Sequence, residues 1–543
     1  MVKNIKSGNW LIAILLACIT AVILTSTAPT IGLTWDEPMY ITGADSYAAW
    51  FDVLAGNPKQ AVKAETIDKY WTFNHEHPPL EKIWSGLVAK AARHFFDELT
   101  ANRLGVILMV SLLIAMLYLI VAQTYGKAAG FFAAAALLSM PRFFFHAHLA
   151  ALDMPVAVAS FGLAFIFWKT IDRKGWAWGI LCGVVLGLAA ATKLNGVFIL
   201  IALILWSLFF RRKWSVVLRF LLTGFTSVLI FFLIWPWLYH QTWVRIMEYV
   251  NFHLHHFAVG QWYLGHFYMT PPWHFTFVIL WAVVPLSVMI LCLAGMARAG
   301  KGKQDGGMAW LLIMCIAVSI LPFIIGKSEL HDNDRLFIPV FPFIAALAGI
   351  GFDWLIKGLE KIFIRIKQPA LTITTPIIMG IALLISQSAA MAGLYPHLLS
   401  YYSEGVGGLR GANKLGMETT YWCETYSAAL PYLNSQAKPG DTIWVEPLSA
   451  NVLIYYQTIG RLRRDVQIMT PPNTQSVLQP ASSEPVSKTP WQADWFIVQY
   501  NQSQFVRNGS DMYSLLQTLD SRKPVYQVIS QGVPLMRLYG VLK

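Results

Sequence analysis

The sequence predicts a mainly α, polytopic membrane protein of about eleven spans, followed by a small C-terminal α/β domain. Three observations predict it. Of 543 residues, 56% are hydrophobic and only 13% charged, where a soluble domain carries about 25% charged residues. Apolar runs long enough to cross a bilayer, roughly 20 residues each, recur as far as residue 392. Beyond it those runs shorten, polar residues rise, and short β-like stretches alternate with helix-like ones.

The first run, 10–29, follows Lys3 and Lys6, and its length favours an uncleaved signal anchor over a cleaved leader. Further spans are expected at 104–122, 128–145, 154–170, 176–191, 196–210, 215–236, 275–297, 308–325, 336–352 and 371–392. Sixteen Lys and Arg sit at one set of span ends, against five in the short loops of the other set. That excess places the first set, and the N-terminus, in the cytoplasm. The net charge of +12 therefore reports orientation, and no nucleic-acid partner is expected. The site and the C-terminal domain then lie outside, and a bacterial inner membrane with a periplasmic working face is the expected setting. Cys18, Cys182, Cys292 and Cys315 fall in apolar runs and Cys423 stands alone, so no disulfide framework is predicted.

Two domains follow, a transmembrane part at 1–392 and a soluble part at 393–543. The first outer loop, 30–103, holds "LEKIWSGLVAKAARHF", an amphipathic helix for the interface with Trp84 and Lys90 as anchors. The second outer loop is 237–274. Gly179, Gly183 and Gly187 form a small-residue stripe, read as close packing inside the bundle. In the tail, "DTIWVEP", "NVLIYYQ", "VQIMT", "DWFIVQY" and "VYQVIS" read as strands.

The candidate chemistry sits at the outer ends of the spans. "WDEPMY" places Asp36 and Glu37 side by side just after the first span, where adjacent carboxylates repel. Asp153, in "ALDMP", fits the N-cap of the fourth span, with Pro155 in its first turn. Ionisable groups at membrane depth mark functional sites by default. Lys193 lies in a short turn after span five, and Arg335 opens span ten. Either alone reads as a snorkelling cation; together, beside acids, they suit a departing phosphate. His75, His77, Lys82, Asn195 and Glu329, near these groups in sequence, complete the candidate set. A divalent metal has candidate ligands at His75, Glu76 and His77, or at His253, His255 and His256, but no ligand spacing supports one, and no cofactor is assigned.

These motifs resemble the membrane glycosyltransferases of the C fold (GT-C), within them the protein O-mannosyltransferase and lipid A aminoarabinose transferase group. "WDEPMY", "HPPLEK" and "ALDMP" carry the resemblance, which spans most of residues 1–350. It implies transfer of a sugar from a polyprenyl-phosphate donor to an extracytoplasmic glycan, lipid or protein acceptor, with inversion. Asp36 would be the catalytic base, Glu37 its neighbour, Asp153 a second acid, and Lys193 and Arg335 the phosphate-binding pair. Three departures narrow the acceptor: 237–274 has no room for a β-trefoil, no arginine follows "DEP", and 393–543 contains no Trp-Trp-Asp. The competing readings are a transporter or flippase of envelope precursors and a non-catalytic envelope scaffold. A transporter would place its ions near the midplane of repeated halves, and no repeat is found.

Overall fold

The computed structural model describes residues 7–255, 259–299, 307–325, 330–367, 371–447, 449–470, 486–487, 490–508 and 510–540. Among them, six helices are long and apolar enough to cross a bilayer: Ser7–Thr30, Glu98–Tyr125, Trp214–Ile234, Met308–Ile325, Arg335–Arg365 and Thr374–Leu394. Each lies on an expected span. The remaining spans fall on shorter or interrupted helices. The run 128–145 splits into Lys127–Leu138 and Pro141–His146, because Pro141 pushes Met140 to an extended ψ of 116°. The run 275–297 splits the same way before Pro285, into Phe275–Val283 and Leu286–Ala299.

Burial sorts the spans into an inner and an outer set. In the apolar stretch of Arg335–Arg365, 89% of residues are buried, and in that of Glu98–Tyr125 72%, against 17% and 11% in those of Trp214–Ile234 and Thr374–Leu394. The outer helices thus present apolar side chains to lipid, as a multi-pass membrane protein requires. Small residues let the helices cross closely. A Cβ on Gly351 would fall 1.9 Å from the Leu291 carbonyl oxygen, and one on Gly183 would fall 2.5 Å from the Thr226 Cβ. The glycine stripe therefore packs against Trp214–Ile234, inside the bundle.

The loop 30–103 is a set of helices, Glu37–Gly56, Ala64–Trp71 and Leu80–Ala92 among them. Leu80–Ala92 is held more deeply than an interface helix: Glu81, Lys82, Ser85 and Gly86 are buried, and only an edge with Trp84 and Leu87 is exposed.

The C-terminal domain, small and built on a sheet, packs against the loops 30–103 and 237–274. A hairpin in the loop 237–274 supplies β1 (Gln261–Tyr263) and β2 (His266–Tyr268). The domain sheet holds β3 (Thr442–Glu446), β4 (Gln467–Thr470), β5 (Val486–Ser487), β6 (Trp495–Gln499), β7 (Tyr526–Ser530) and β8 (Val533–Gly540). Their order is β5-β4-β3-β6-β8-β7, parallel from β5 to β6 and antiparallel at β8 and β7. "NVLIYYQ", expected as a strand, is instead the helix Ala450–Thr458. It makes the crossover that parallel β3 and β4 need. Tyr456 and Tyr455 from that helix tie the domain down, accepting from the Leu33 N–H at 2.7 Å and the Asn102 amide at 2.9 Å.

Candidate active site

Arg335 is the hub of the site. Its three nitrogens each meet a different aspartate: Nη2 to Asp36 at 2.6 Å, Nε to Asp153 at 2.9 Å and Nη1 to Asp332 at 2.9 Å. Lys193 Nζ donates to the other oxygen of Asp153 at 2.7 Å. Residues far apart in sequence thus form one network. Asp153 is the first residue of the helix Asp153–Thr170; Leu152 holds the N-cap position, and the Asp153 carboxylate caps nothing. Its partners are the two cations.

Three carboxylates face two cations, so the ionised cluster carries one excess negative charge. Its members differ in access. Asp36 is 29% exposed and Lys193 18%, whereas Asp153, Asp332 and Arg335 are 3%, 6% and 7% exposed. The open edge is therefore made by a carboxylate held on Arg335 and an ammonium held on Asp153. Desolvation raises the Asp36 carboxyl above the ordinary carboxylate range, against the opposing pull of Arg335.

Glu37 faces away from that edge. It is fully buried and paired with Arg103, whose Nε and Nη2 reach its two oxygens at 2.8 and 2.7 Å. Glu37 also accepts from the backbone N–H groups of Thr34 and Ala150. Arg103 donates in addition to the carbonyls of Ala28, Ile31 and Gly32. The adjacent acids split because successive residues on a helix start point in different directions. One closes the exit from the first span; the other opens to the site.

The remaining candidates surround this core unequally. His77 is half-buried near it, its ring 5.9 Å from Tyr40, and desolvation holds its imidazole well below the usual range and neutral. Lys82 donates to the Asn74 carbonyl and side chain and to the His77 carbonyl, and burial lowers it to about 7. It pins the turn that carries His77. His75 lies further out, 2.7 Å from Glu248 and against Trp237. Asn195 sits in the turn after Lys193, with its buried Oδ1 unpartnered among the described residues. Glu329 and His256 lie outside the described residues. Among the described residues, no group of three His, Cys, Asp or Glu side chains is gathered as a metal would need.

Two residues of the site carried no clear sequence signal. Asp332 reads as a solvated loop acid. Trp422 lies in the polar tail, yet its ring covers the Arg335 guanidinium at 4.2 Å. Trp422 and Cys423 both take left-handed φ, 72° and 67°, a conformation costly for such side chains. The Trp35 N–H holds the Trp422 carbonyl at 3.3 Å. The preceding pair repeats the pattern: Tyr421 donates to Asp334 at 3.0 Å, and Asp334 pairs with fully buried Arg142. Two consecutive aromatics thus meet two consecutive charges. The aromatic pair "YW" in a polar stretch was the one available hint.

The chain has known relatives in fold. Residues 76–240 match the dolichyl-phosphate-mannose-protein mannosyltransferase family. No individual curated protein matches. Two solved structures of ArnT from Cupriavidus metallidurans share the fold, the apo state at a TM-score of 0.52 and the undecaprenyl phosphate complex at 0.53. Each is 17% identical, over 98% of both chains. The family match spans the stretch that holds Asp153 and Lys193, and the fold of these membrane-protein structures is shared by the whole chain.

Proposed function

We propose that the protein transfers a sugar from a polyprenyl-phosphate donor to an acceptor hydroxyl, with Asp36 as the base. The observation that carries this reading is the open edge, where a raised carboxylate on Arg335 and an ammonium on Asp153 are the most exposed members of an otherwise closed charge network. One of the similar structures binds undecaprenyl phosphate, which supports this donor class.

The reaction follows from the charges. Asp36 takes the proton of the acceptor hydroxyl as its oxygen attacks the anomeric carbon. The bond from that carbon to the phosphate oxygen breaks, and the polyprenyl phosphate leaves with the electron pair. One in-line displacement inverts the centre. Lys193 meets the charge that grows on the leaving phosphate. Protonation of Asp36 removes the excess negative charge of the cluster at the moment the phosphate gains one. Asp153 and Asp332 keep Arg335 in plane beneath Asp36, and Glu37 fixes the helix start that presents it.

The test is release of free polyprenyl phosphate from a panel of polyprenyl-phosphate sugars, in membranes that contain the protein and native acceptors. Release above that of membranes lacking the protein supports the reading and names the sugar. No release from any donor, with the protein folded, moves the assignment to transport or scaffolding.

Two expected results arise here. The base must be ionised, and its folded value is raised. Turnover therefore falls as pH drops through a midpoint above the ordinary aspartate value of about 3.9. A kcat/KM profile that is flat well below pH 5 would contradict this. The second concerns Trp422. A cation–π contact of about 0.5–2 kcal/mol implies a loss of about two- to thirty-fold in kcat for Trp422→Leu. Trp422→Phe keeps most of the rate. Equal rates in wild type and the leucine variant would remove Trp422 from the site.

A further inference from the structure

The second outer loop carries a helix, Thr242–Leu254, with two unlike faces. Trp243, Met247, Val250 and Leu254 fall four, three and four residues apart, so they form one stripe. They are 74%, 53%, 37% and 72% exposed. The charged side chains of the helix turn the other way. Arg245 pairs with Asp68 and donates to the Trp237 carbonyl, while Glu248 meets His75. An apolar stripe of this extent is not left in water.

The surface beside it is already lipid-facing. Trp214–Ile234 ends eight residues before the helix and exposes Val228, Leu229 and Leu233. Trp273 and Phe277, where the loop re-enters the bundle, are exposed too. The helix continues that surface. Its inner face reaches the site: the rings of Phe252 and His253 stand 5.9 and 6.5 Å from that of His77. His77 in turn feels the charges of Lys193 and Arg335.

We propose that Thr242–Leu254 is seated in the leaflet on the side of the site, its stripe at the acyl-chain boundary, and forms the wall past which a lipid-linked donor moves sideways to Asp36. The seating stands on the helix alone; the donor rests on the function proposed above. A bilayer on one side and the charge network on the other define this position. A donor with its tail in lipid and its sugar at Asp36 must pass along it.

Two measurements on the full chain decide it. In the first, a nitroxide is placed at Met247→Cys in a Cys18→Ser background, in vesicles of phosphatidylethanolamine and phosphatidylglycerol. Oxygen, which partitions into lipid, is expected to relax it strongly, and a water-soluble nickel chelate weakly. Nickel access equal to that of a label at exposed Lys59→Cys overturns the seating. In the second, Met247→Glu is assayed with a long-chain donor in vesicles and a water-soluble short-chain donor in detergent. A rise of about tenfold in KM for the long-chain donor is expected, with the short-chain donor unchanged. Equal effects on both donors, or none on either, overturn the wall. A wild type inactive with both sinks the proposed function instead, and the nitroxide result still stands or falls by itself.

Discussion

Asp36→Asn is expected to lower turnover by about 10²–10⁴-fold, the usual weight of a general base, while the protein melts at or above the wild-type temperature. The second half of that expectation makes it discriminating. The amide oxygen still accepts from Arg335, so the network keeps its geometry. Neutralising one of three carboxylates that face two cations also removes the excess negative charge of the cluster. Asp153→Asn behaves differently, since that carboxylate is almost fully buried between Lys193 and Arg335. Its loss leaves two cations short of a partner, and both rate and stability fall. Polyprenyl phosphate release and a thermal melt, run on the same detergent-purified samples, separate the two variants. Asp36→Asn turnover within a few-fold of wild type would exclude Asp36 as the base, whatever the donor.

Arg103→Leu is expected to destabilise the protein by about 3–5 kcal/mol, because it leaves a buried carboxylate unpaired. Glu37 has no route to water, and the carbonyls of Ala28, Ile31 and Gly32 lose their donor together. Adding Glu37→Leu recovers part of the loss by removing the orphaned charge, but the three carbonyls stay unpaired. A double-mutant cycle on unfolding midpoints reads the coupling. Wild-type stability in Arg103→Leu would mean the pair is incidental. Loss of activity in proportion to loss of folded protein is expected too, since Glu37 touches no part of the open edge.

Much of the architecture was legible because membrane physics is blunt. Long apolar runs have one outcome in lipid, and six of the expected spans became helices of crossing length. The breaks at Pro141 and Pro285 are smaller than a hydropathy window sees. In the tail, β3, β4, β6 and β7 appear where their β-branched and aromatic runs stand. "NVLIYYQ" has the same composition but became a helix, because tertiary topology overrode propensity. β8 escaped notice because Pro534 and Arg537 interrupt its apolar pattern. Among the candidate residues, the structure brings Asp36, Asp153, Lys193 and Arg335 into one network, since charges this costly at membrane depth stand out in sequence. Glu37 shared that signal, yet its partner Arg103 looked like an ordinary residue at a span end. Trp422 and Asp332 owe their place to contacts across long stretches of chain, which no local pattern encodes.

The pairing of Tyr421 and Trp422 with Asp334 and Arg335 has a consequence for biosynthesis. A ribosome delivers Arg335 to the membrane well before it has made Trp422. Until then the guanidinium and its three acids have no aromatic cover. The charge network is thus among the last parts of the molecule to be finished, although most of its charged groups are made early. A nascent chain still being threaded into the bilayer carries Asp36 and Arg335 without the ring that covers them. Translation itself sets the time at which the charge network is first complete.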